Sequence, residues 1–215
     1  MKEIYIFSGL GADERAFQEL DFSGFPVQFI RWMTTNIHET ISQYATRLIQ
    51  QIKTENPTLI GLSFGGIMAV EVAKQIKTDK VILIASAKTK YEIPFYFRFA
   101  GYLKLHKLMP AALLKHANFI TYWSFGAVSP AEKRLLKQIL SDTDPTFLKW
   151  AIDKIVSWSN TTKLNNLIHI HGTDDRILPY KFVTCDLTIK NGGHLMTINR
   201  HEEITLMLRS MLNKR

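Results

Sequence analysis

The stretch Leu59–Gly66, with the sequence LIGLSFGG, gives the strongest structural signal in the chain. Two apolar residues lead into it, and apolar residues at helical spacing follow it from Ile67 to Ile76. The pattern therefore predicts a strand, a sharp turn at Ser63 and a helix. Its form is G-x-S-x-G, in which glycines two residues either side of the serine leave room for a neighbouring strand and helix at a strained turn.

Such a turn would also give Ser63 a chemical role. It would lift the hydroxyl to the end of the sheet and place it at a helix N-terminus, where the helix dipole favours developing negative charge. The alternative is a glycine-rich turn that only joins a strand to a helix, because this short pattern also arises by chance. The choice depends on partners for Ser63 elsewhere in the chain.

The composition indicates a globular protein. The 215 residues are 46% apolar and 21% charged, which suits one domain with a substantial core. Since no apolar run approaches the ~20 residues that a membrane-spanning helix needs, we expect no transmembrane segment. The N-terminus does not match a secretory signal because Glu3 interrupts its charge pattern, so we expect a cytoplasmic protein.

Cysteine and histidine usage argues against a metal centre. The single cysteine, Cys185, excludes an internal disulfide and a multi-cysteine metal site. It falls in the strand-like run Phe182–Ile189, so we expect it to be buried. His169 and His171 alternate along a predicted strand without an accompanying set of carboxylates or cysteines, and we expect structural roles for them. The sequence predicts neither a metal nor an organic cofactor.

The formal net charge of +8 is concentrated in one region. From Lys88 to Lys137 there are nine lysines and arginines against two glutamates, a net charge of +7. Nucleic acid, a membrane surface or an anionic substrate could each use this excess. Because the basic residues are dispersed among apolar ones, we favour a solvated helical face, and without a recognisable binding motif we expect no nucleic-acid partner.

The first part of the chain alternates strands and helices. Besides the strand before Ser63, strands are predicted at Lys2–Phe7, Val27–Trp32 and Val81–Ala85. Asn36 and Glu39 form a capping-box pattern that predicts the start of a long helix. This alternation predicts right-handed βαβ units in a mostly parallel sheet with helices on both faces.

The alternation stops over residues 88–160. No convincing strand occurs there, and the pairs Ser129-Pro130 and Asp144-Pro145 are typical helix starts. We therefore predict an all-helical insertion of residues 88–160 into a core formed by residues 1–87 and 161–215. Before a final helix, the strands resume at Leu167–Ile170 and Val183–Ile189.

Three predicted loops supply candidate partners for Ser63. In an open parallel sheet, functional loops lie beyond the carboxyl ends of the strands. The loop SGLG at 8–11 offers backbone N–H groups, a second loop offers the carboxylates of Asp174 and Asp175, and a third offers the imidazole of His194. The order serine, acid, histidine along the chain, in these loops, is much more specific than any one motif.

Taken together, these motifs resemble the α/β-hydrolase superfamily over nearly the whole chain, with residues 88–160 in the position of the family's variable cap. The resemblance implies that Ser63 is the nucleophile and His194 the general base. The loop that begins at His171 matches the family pattern H-G-x-x-D-x-x-x-P, which makes Asp175 the acid. A one-residue shift would put Asp174 there instead, and Glu92 holds a position that some relatives use.

The resemblance also implies an oxyanion hole formed by the backbone N–H groups of Phe64 and Leu10. The first loop begins with Ser8-Gly9, where many relatives have His-Gly. Aromatic residues of the insertion are candidates for lining an apolar acyl pocket.

The implied function is a serine hydrolase that cleaves small, partly apolar carboxylic esters or thioesters through an acyl-enzyme. The excess of cations would suit an anionic substrate. The same triad could instead serve a carbon–carbon bond hydrolase or a lyase, and a ligand-binding protein with little turnover is a third hypothesis. The sequence does not indicate an oligomeric state.

Overall fold

A computed structural model describes residues 3–213, so Lys2 of the first predicted strand lies outside the described residues. In the described chain, six strands form one sheet in the order β2-β1-β3-β4-β5-β6, and every neighbouring pair is parallel. The strands are β1 (Ile4–Phe7), β2 (Val27–Phe29), β3 (Thr58–Leu62), β4 (Lys80–Ile84), β5 (Leu167–Gly172) and β6 (Leu187–Ile189). The predicted parallel sheet is confirmed.

Nine α-helices lie between and after these strands in the described chain. They are α1 (Ile41–Ile49), α2 (Phe64–Ala73), α3 (Phe95–Tyr102), α4 (Ala111–Leu114), α5 (Phe119–Phe125), α6 (Pro130–Asp142), α7 (Pro145–Val156), α8 (Met196–Asn199) and α9 (His201–Asn213). Short 3-10 turns occur at Glu14–Phe17, Lys90–Glu92, Leu105–Leu108 and Tyr180–Phe182. None of the helices within residues 3–213 has the length and apolar character needed to cross a bilayer.

The sheet is covered on both faces because successive strand residues point to opposite sides. On β1, Tyr5 and Phe7 belong to a core cluster that includes residues of α1 and α2. Ile4 and Ile6 belong to a second cluster that includes residues of α9 and the turn at Glu14–Phe17. The four β1 residues are all buried, as expected for a strand between two layers of helices.

The structure corrects the predicted start of α1. Thr40, not Asn36, is its N-cap: Thr40 Oγ1 accepts a hydrogen bond from Gln43 N, and the Gln43 side chain bonds back to Thr40 N. The return bond of the predicted pattern is present, since Glu39 Oε2 accepts from Asn36 N at 2.9 Å, but His38 has φ 61° and the helix does not start there. The Asn36–Glu39 pattern therefore describes the turn that precedes the helix.

The strand predicted at Val183–Ile189 is also shorter than expected. Thr184 N donates to Glu92 Oε1 at 3.1 Å instead of pairing with β5, so β6 begins only at Leu187. Cys185 consequently lies in a loop and is partly exposed, and the expectation that it is buried was wrong.

Between Ile84 and Leu167, all of which the structure describes, the chain forms helices and turns and no strand. Both predicted helix starts are present: Ser129 caps α6 through Glu132 N, and Asp144 caps α7 through Phe147 N. Each helix has proline in its first turn, where the missing N–H has no cost. The division into a core and an insertion at residues 88–160 stays a prediction.

Candidate active site

Ser63 occupies a strained turn between β3 and α2. Its backbone has φ 53° and ψ −122°, a conformation that residues with a side chain rarely adopt. Two contacts with the end of β4 hold it there. Ser63 N donates to Ile84 O at 3.0 Å, and Ser86 Oγ donates to Ser63 O at 2.6 Å.

The glycines of the G-x-S-x-G pattern allow this turn to pack closely. A Cβ atom at Gly61 would collide with the backbone of Gly66 at the start of α2. A Cβ atom at Gly65 would collide with the carbonyl oxygens of Phe7 and Ser8 at the end of β1. The two glycines therefore have the steric role that the sequence pattern predicts.

Three sequence-predicted residues meet at this turn in one hydrogen-bonded series. His194 Nε2 lies 2.8 Å from Ser63 Oγ, and His194 Nδ1 lies 2.7 Å from Asp175 Oδ2. His194 is 5% exposed and Asp175 is 3% exposed, whereas Ser63 keeps partial access to solvent. A nucleophile, a base and an orienting acid require this arrangement.

Of the possible acids, the structure brings only Asp175 to His194 within the described chain. Asp175 Oδ1 accepts from Ile177 N at 2.9 Å and Leu178 N at 2.8 Å, which leaves Oδ2 for the histidine. Asp174 is exposed and accepts from Thr173 Oγ1. Glu92 is occupied elsewhere, since its carboxylate accepts from Lys88 N and Thr184 N.

The electrostatics of this group fix the tautomer of the histidine. Burial by itself would raise the pKa of Asp175, but the neighbouring imidazole of His194, together with His171 and the Leu178 N–H, lowers the pKa overall. An ionised carboxylate can only accept, so His194 Nδ1 carries the proton that it donates. Neutral His194 then has a lone pair on Nε2, which accepts from Ser63 Oγ–H.

Two buried histidines lie beneath the acid. His171 Nε2 is 2.8 Å from Leu178 O and 3.7 Å from Asp175 Oδ2, and His171 Nδ1 is 3.3 Å from His169 Nε2. Burial lowers the pKa of both imidazoles, which keeps them neutral. Neutral His171 can donate Nε2–H to Leu178 O and so brace the loop that presents Asp175.

The sequence did not reveal how α5 contacts the site. The ring of Phe125 packs edge-on against His194 with centroids 5.6 Å apart, and Leu195 N donates to Phe125 O at 2.9 Å. The guanidinium of Arg176, next to Asp175, lies over the Trp123 ring and donates to Trp123 O at 2.8 Å. Aromatic composition was the only signal in this stretch, and it did not specify these partners.

The predicted oxyanion-hole residues lie beside Ser63. A Cβ atom at Gly9 would be 3.5 Å from Ser63 Cβ, so the loop after β1, which contains Leu10, runs alongside the serine. Within residues 3–213, the backbone N–H groups of Leu10 and Phe64 donate to no other protein group. In the same range, no three His, Cys, Asp or Glu side chains are grouped to hold a metal ion.

Comparison with known proteins identifies the fold. No family model and no curated protein matches the sequence. Among solved structures, an esterase from Thermogutta terrifontis is 16% identical with TM-score 0.72, and 100% of this chain and 90% of that chain are covered. A bromoperoxidase from Bacillus anthracis is 17% identical with TM-score 0.69, and 99% and 92% of the two chains are covered.

This chain has the α/β-hydrolase fold. An esterase from Exiguobacterium antarcticum is similar to the same degree, with 15% identity, TM-score 0.69 and coverage of 100% of this chain and 92% of that one. At such low identity the similarity shows the fold alone, so the activity has to be argued from the site.

The packing of the turn predicts that Gly65→Ala destabilises the protein. The new methyl group would displace either β1 or α2, and overpacking of this kind costs about 2 kcal/mol or more. Urea unfolding followed by circular dichroism measures the loss. Gly9→Ala is the matched control, because its methyl group would meet neighbouring atoms at ordinary contact distances of 3.5 to 3.7 Å. Equal stability of the two variants would contradict the packing argument.

The lowered pKa of Asp175 predicts a pH-dependent contribution to stability. Its ionised form stabilises the fold above the unfolded-state pKa of about 3.9, and this stabilisation is lost as the pH falls through the lower folded-state pKa. The difference in unfolding free energy between wild type and Asp175→Asn should therefore shrink as the pH falls below that range.

Urea titrations from neutral to strongly acidic pH test this expectation. The exposed Asp174→Asn is the matched control for loss of a carboxylate from the same loop. A wild-type advantage over Asp175→Asn that stays constant throughout would show that the carboxylate is not specifically stabilised in the folded state.

Proposed function

We propose that the protein is a serine hydrolase that cleaves small, partly apolar carboxylic esters or thioesters through an acyl-enzyme. The proposal rests on one observation above all: Ser63, His194 and Asp175 form a continuous hydrogen-bonded series at 2.8 Å and 2.7 Å. The esterases among the similar structures support it.

In this proposal each residue has a defined role. His194 Nε2 accepts the hydroxyl proton while Ser63 Oγ attacks the carbonyl carbon, and Asp175 stabilises the imidazolium that forms. The backbone N–H groups of Phe64 and Leu10 stabilise the tetrahedral oxyanion. His194 then gives the proton to the departing alkoxide or thiolate, and water activated by the same histidine hydrolyses the acyl-enzyme.

A cavity beside the first loop is a candidate for the acyl-binding region. It has a volume of about 480 Å³ and lies between Gly11 and Ala12 on one side and the start of α7 on the other. Trp32 and Phe147, which line it, pack against Phe64 with ring centroids 5.6 and 6.1 Å away. The rest of the lining includes the hydroxyls of Thr34 and Thr146 and the aspartates Asp13, Asp142 and Asp144. The wall formed by Trp32 and Phe147 is therefore the part of the cavity that suits an apolar acyl group.

Several of the insertion's aromatic side chains do not suit the pocket role that the sequence suggested. Several are more than half exposed, at Phe95, Phe99, Tyr102, Phe119 and Trp123. The aromatic wall next to Phe64 combines Trp32 with Phe147, which lies within the predicted insertion.

One prediction from this proposed function concerns Ser63 as the nucleophile. A fluorophosphonate probe should add once to the wild-type protein and not to Ser63→Ala, as measured by mass spectrometry of the intact protein. Ser63→Ala should also reduce kcat on a short-chain ester by roughly 10⁶-fold, because no acyl-enzyme can form. A folded wild-type protein that takes up no probe would favour the ligand-binding alternative.

Another prediction distinguishes Asp175 from Asp174 as the acid. Asp175→Asn should lower kcat by roughly 10⁴-fold, because an amide NH₂ facing His194 favours the tautomer that cannot accept the Ser63 proton. Asp174→Asn removes a carboxylate from the same loop without touching His194 and should change kcat by less than about threefold. The opposite ranking in ester-hydrolysis assays would assign the acid to Asp174.

A further inference from the structure

The outer side of α3 is a largely exposed aromatic surface, with Phe95 packing edge-on against Phe182 at a centroid distance of 6.2 Å. Phe95, Phe99 and Tyr102 recur at the spacing of one helical face and are 64%, 61% and 83% exposed. The opposite side of the helix is packed: Phe97 contacts the main core, and a Cβ atom at Gly101 would lie 2.7 Å from Val156 of α7. Helix α3 therefore has apolar side chains both on the side that packs on the protein and on the side that faces outward.

The exposed surface extends beyond α3. The turn at Leu105–Leu108 and helix α4 also pack on α7, so their other sides face away from the body of the protein. Of the 17 large apolar side chains that are exposed in the described chain, 13 lie between Phe95 and Val128. Large contiguous exposed apolar surfaces mark interaction sites, whereas single exposed apolar side chains are common on any protein surface.

The charge of this segment is entirely positive. From Ile93 to Ala131 the sequence has no aspartate or glutamate but contains Arg98, Lys104, Lys107 and Lys115. Lys107 pairs with Asp153 of α7 at 3.4 Å, and His106 contacts the same carboxylate. Within residues 3–213, Lys104 and Lys115 form no ion pair; Lys104 is exposed and Lys115 is half-buried.

We propose that this surface docks on the headgroup region of an anionic lipid bilayer. The name aromatic-basic face is used for Phe95, Phe99, Tyr102, Lys104, Leu108 and Lys115. Aromatic and leucine side chains can enter the boundary between headgroups and acyl chains, while lysines bind the lipid phosphates. A solvated helical face, which the sequence favoured, would not explain so many apolar side chains at the outer positions.

The charge pattern selects the bilayer over a second copy of the chain. In a two-fold dimer through this face, the lysines of both copies would be gathered in one interface with no carboxylate from residues 93–131 to neutralise them. An anionic bilayer satisfies both the apolar and the cationic parts of the face. The proposal concerns binding alone and does not rest on the proposed hydrolase activity.

Vesicle co-sedimentation of the full chain tests the proposal. The protein should bind vesicles of phosphatidylcholine mixed equally with phosphatidylglycerol much more tightly than vesicles of phosphatidylcholine alone, and binding should weaken as salt is raised. Phe99→Ser combined with Tyr102→Ser should weaken binding at least tenfold. Lys104→Gln combined with Lys115→Gln should weaken it roughly fivefold per lysine.

Matched substitutions elsewhere control for general effects. Leu206→Ser removes a side chain that is 70% exposed on α9, and Lys77→Gln removes an exposed lysine after α2, so both variants should bind like wild type. Thermal unfolding should show that all variants are folded. Ser63→Ala should bind vesicles normally, which separates this proposal from the proposed chemistry.

Several results would overturn the proposal. They are no binding to anionic vesicles, equal binding to neutral ones, and binding that the aromatic and lysine variants leave unchanged. Sedimentation equilibrium tests the alternative that a second copy of the chain occupies this face. If the wild-type protein is a dimer and the double variant Phe99→Ser, Tyr102→Ser is a monomer, the face is assigned to a second copy.

Discussion

The close approach of three backbone segments around Ser63 is the constraint on which the site depends. Helix α2 can begin against β1 only because Gly65 has no side chain, and it can pass β3 only because Gly61 has none. The φ of 53° at Ser63 costs of order 1–3 kcal/mol, and it persists because the surrounding structure holds both ends of the turn. The adjacent end of β4 is unusual too, with φ 46° at Ala85 between the two residues that bond to Ser63.

The loop after β5 keeps the carboxylate of Asp175 charged although that carboxylate is buried. One oxygen of Asp175 accepts two backbone N–H groups and the other accepts from His194, so the carboxylate is well satisfied. His171 holds the carbonyl of Leu178, whose N–H is one of those two donors. The neutral imidazole of His171 therefore holds the loop in position, and Asp175 of the loop in turn orients the imidazole of His194.

Local sequence patterns were sufficient wherever the structure depends on neighbours in the chain. The turn at Ser63 and the proline-containing starts of α6 and α7 follow from short-range chemistry. The parallel direction of the strands follows from their alternation with helices along the chain. One error has a local cause, because the left-handed backbone of His38, with φ 61°, separates the Asn36–Glu39 turn from α1. The other arose where a distant side chain replaced a ladder partner: Glu92 accepts the hydrogen bond from Thr184 N that β6 would have used. The choice between Asp174 and Asp175 needed the position of His194, which no spacing specifies.

The aromatic residues after β4 show a deeper limit of sequence patterns. An aromatic side chain in a helical segment has the same sequence signal whether it faces a pocket or solvent, because periodicity does not say which side of a helix the body of the protein covers. Here α7 takes the side of α3 that contains Gly101, and this leaves Phe95, Phe99 and Tyr102 outside. Each loses roughly 1.5–3 kcal/mol that burial would have provided. Helix α5 joins this segment to the site, since Phe125 packs on His194 while Phe119 and Trp123 stay exposed. A bilayer against the aromatic-basic face would therefore recover part of that lost burial.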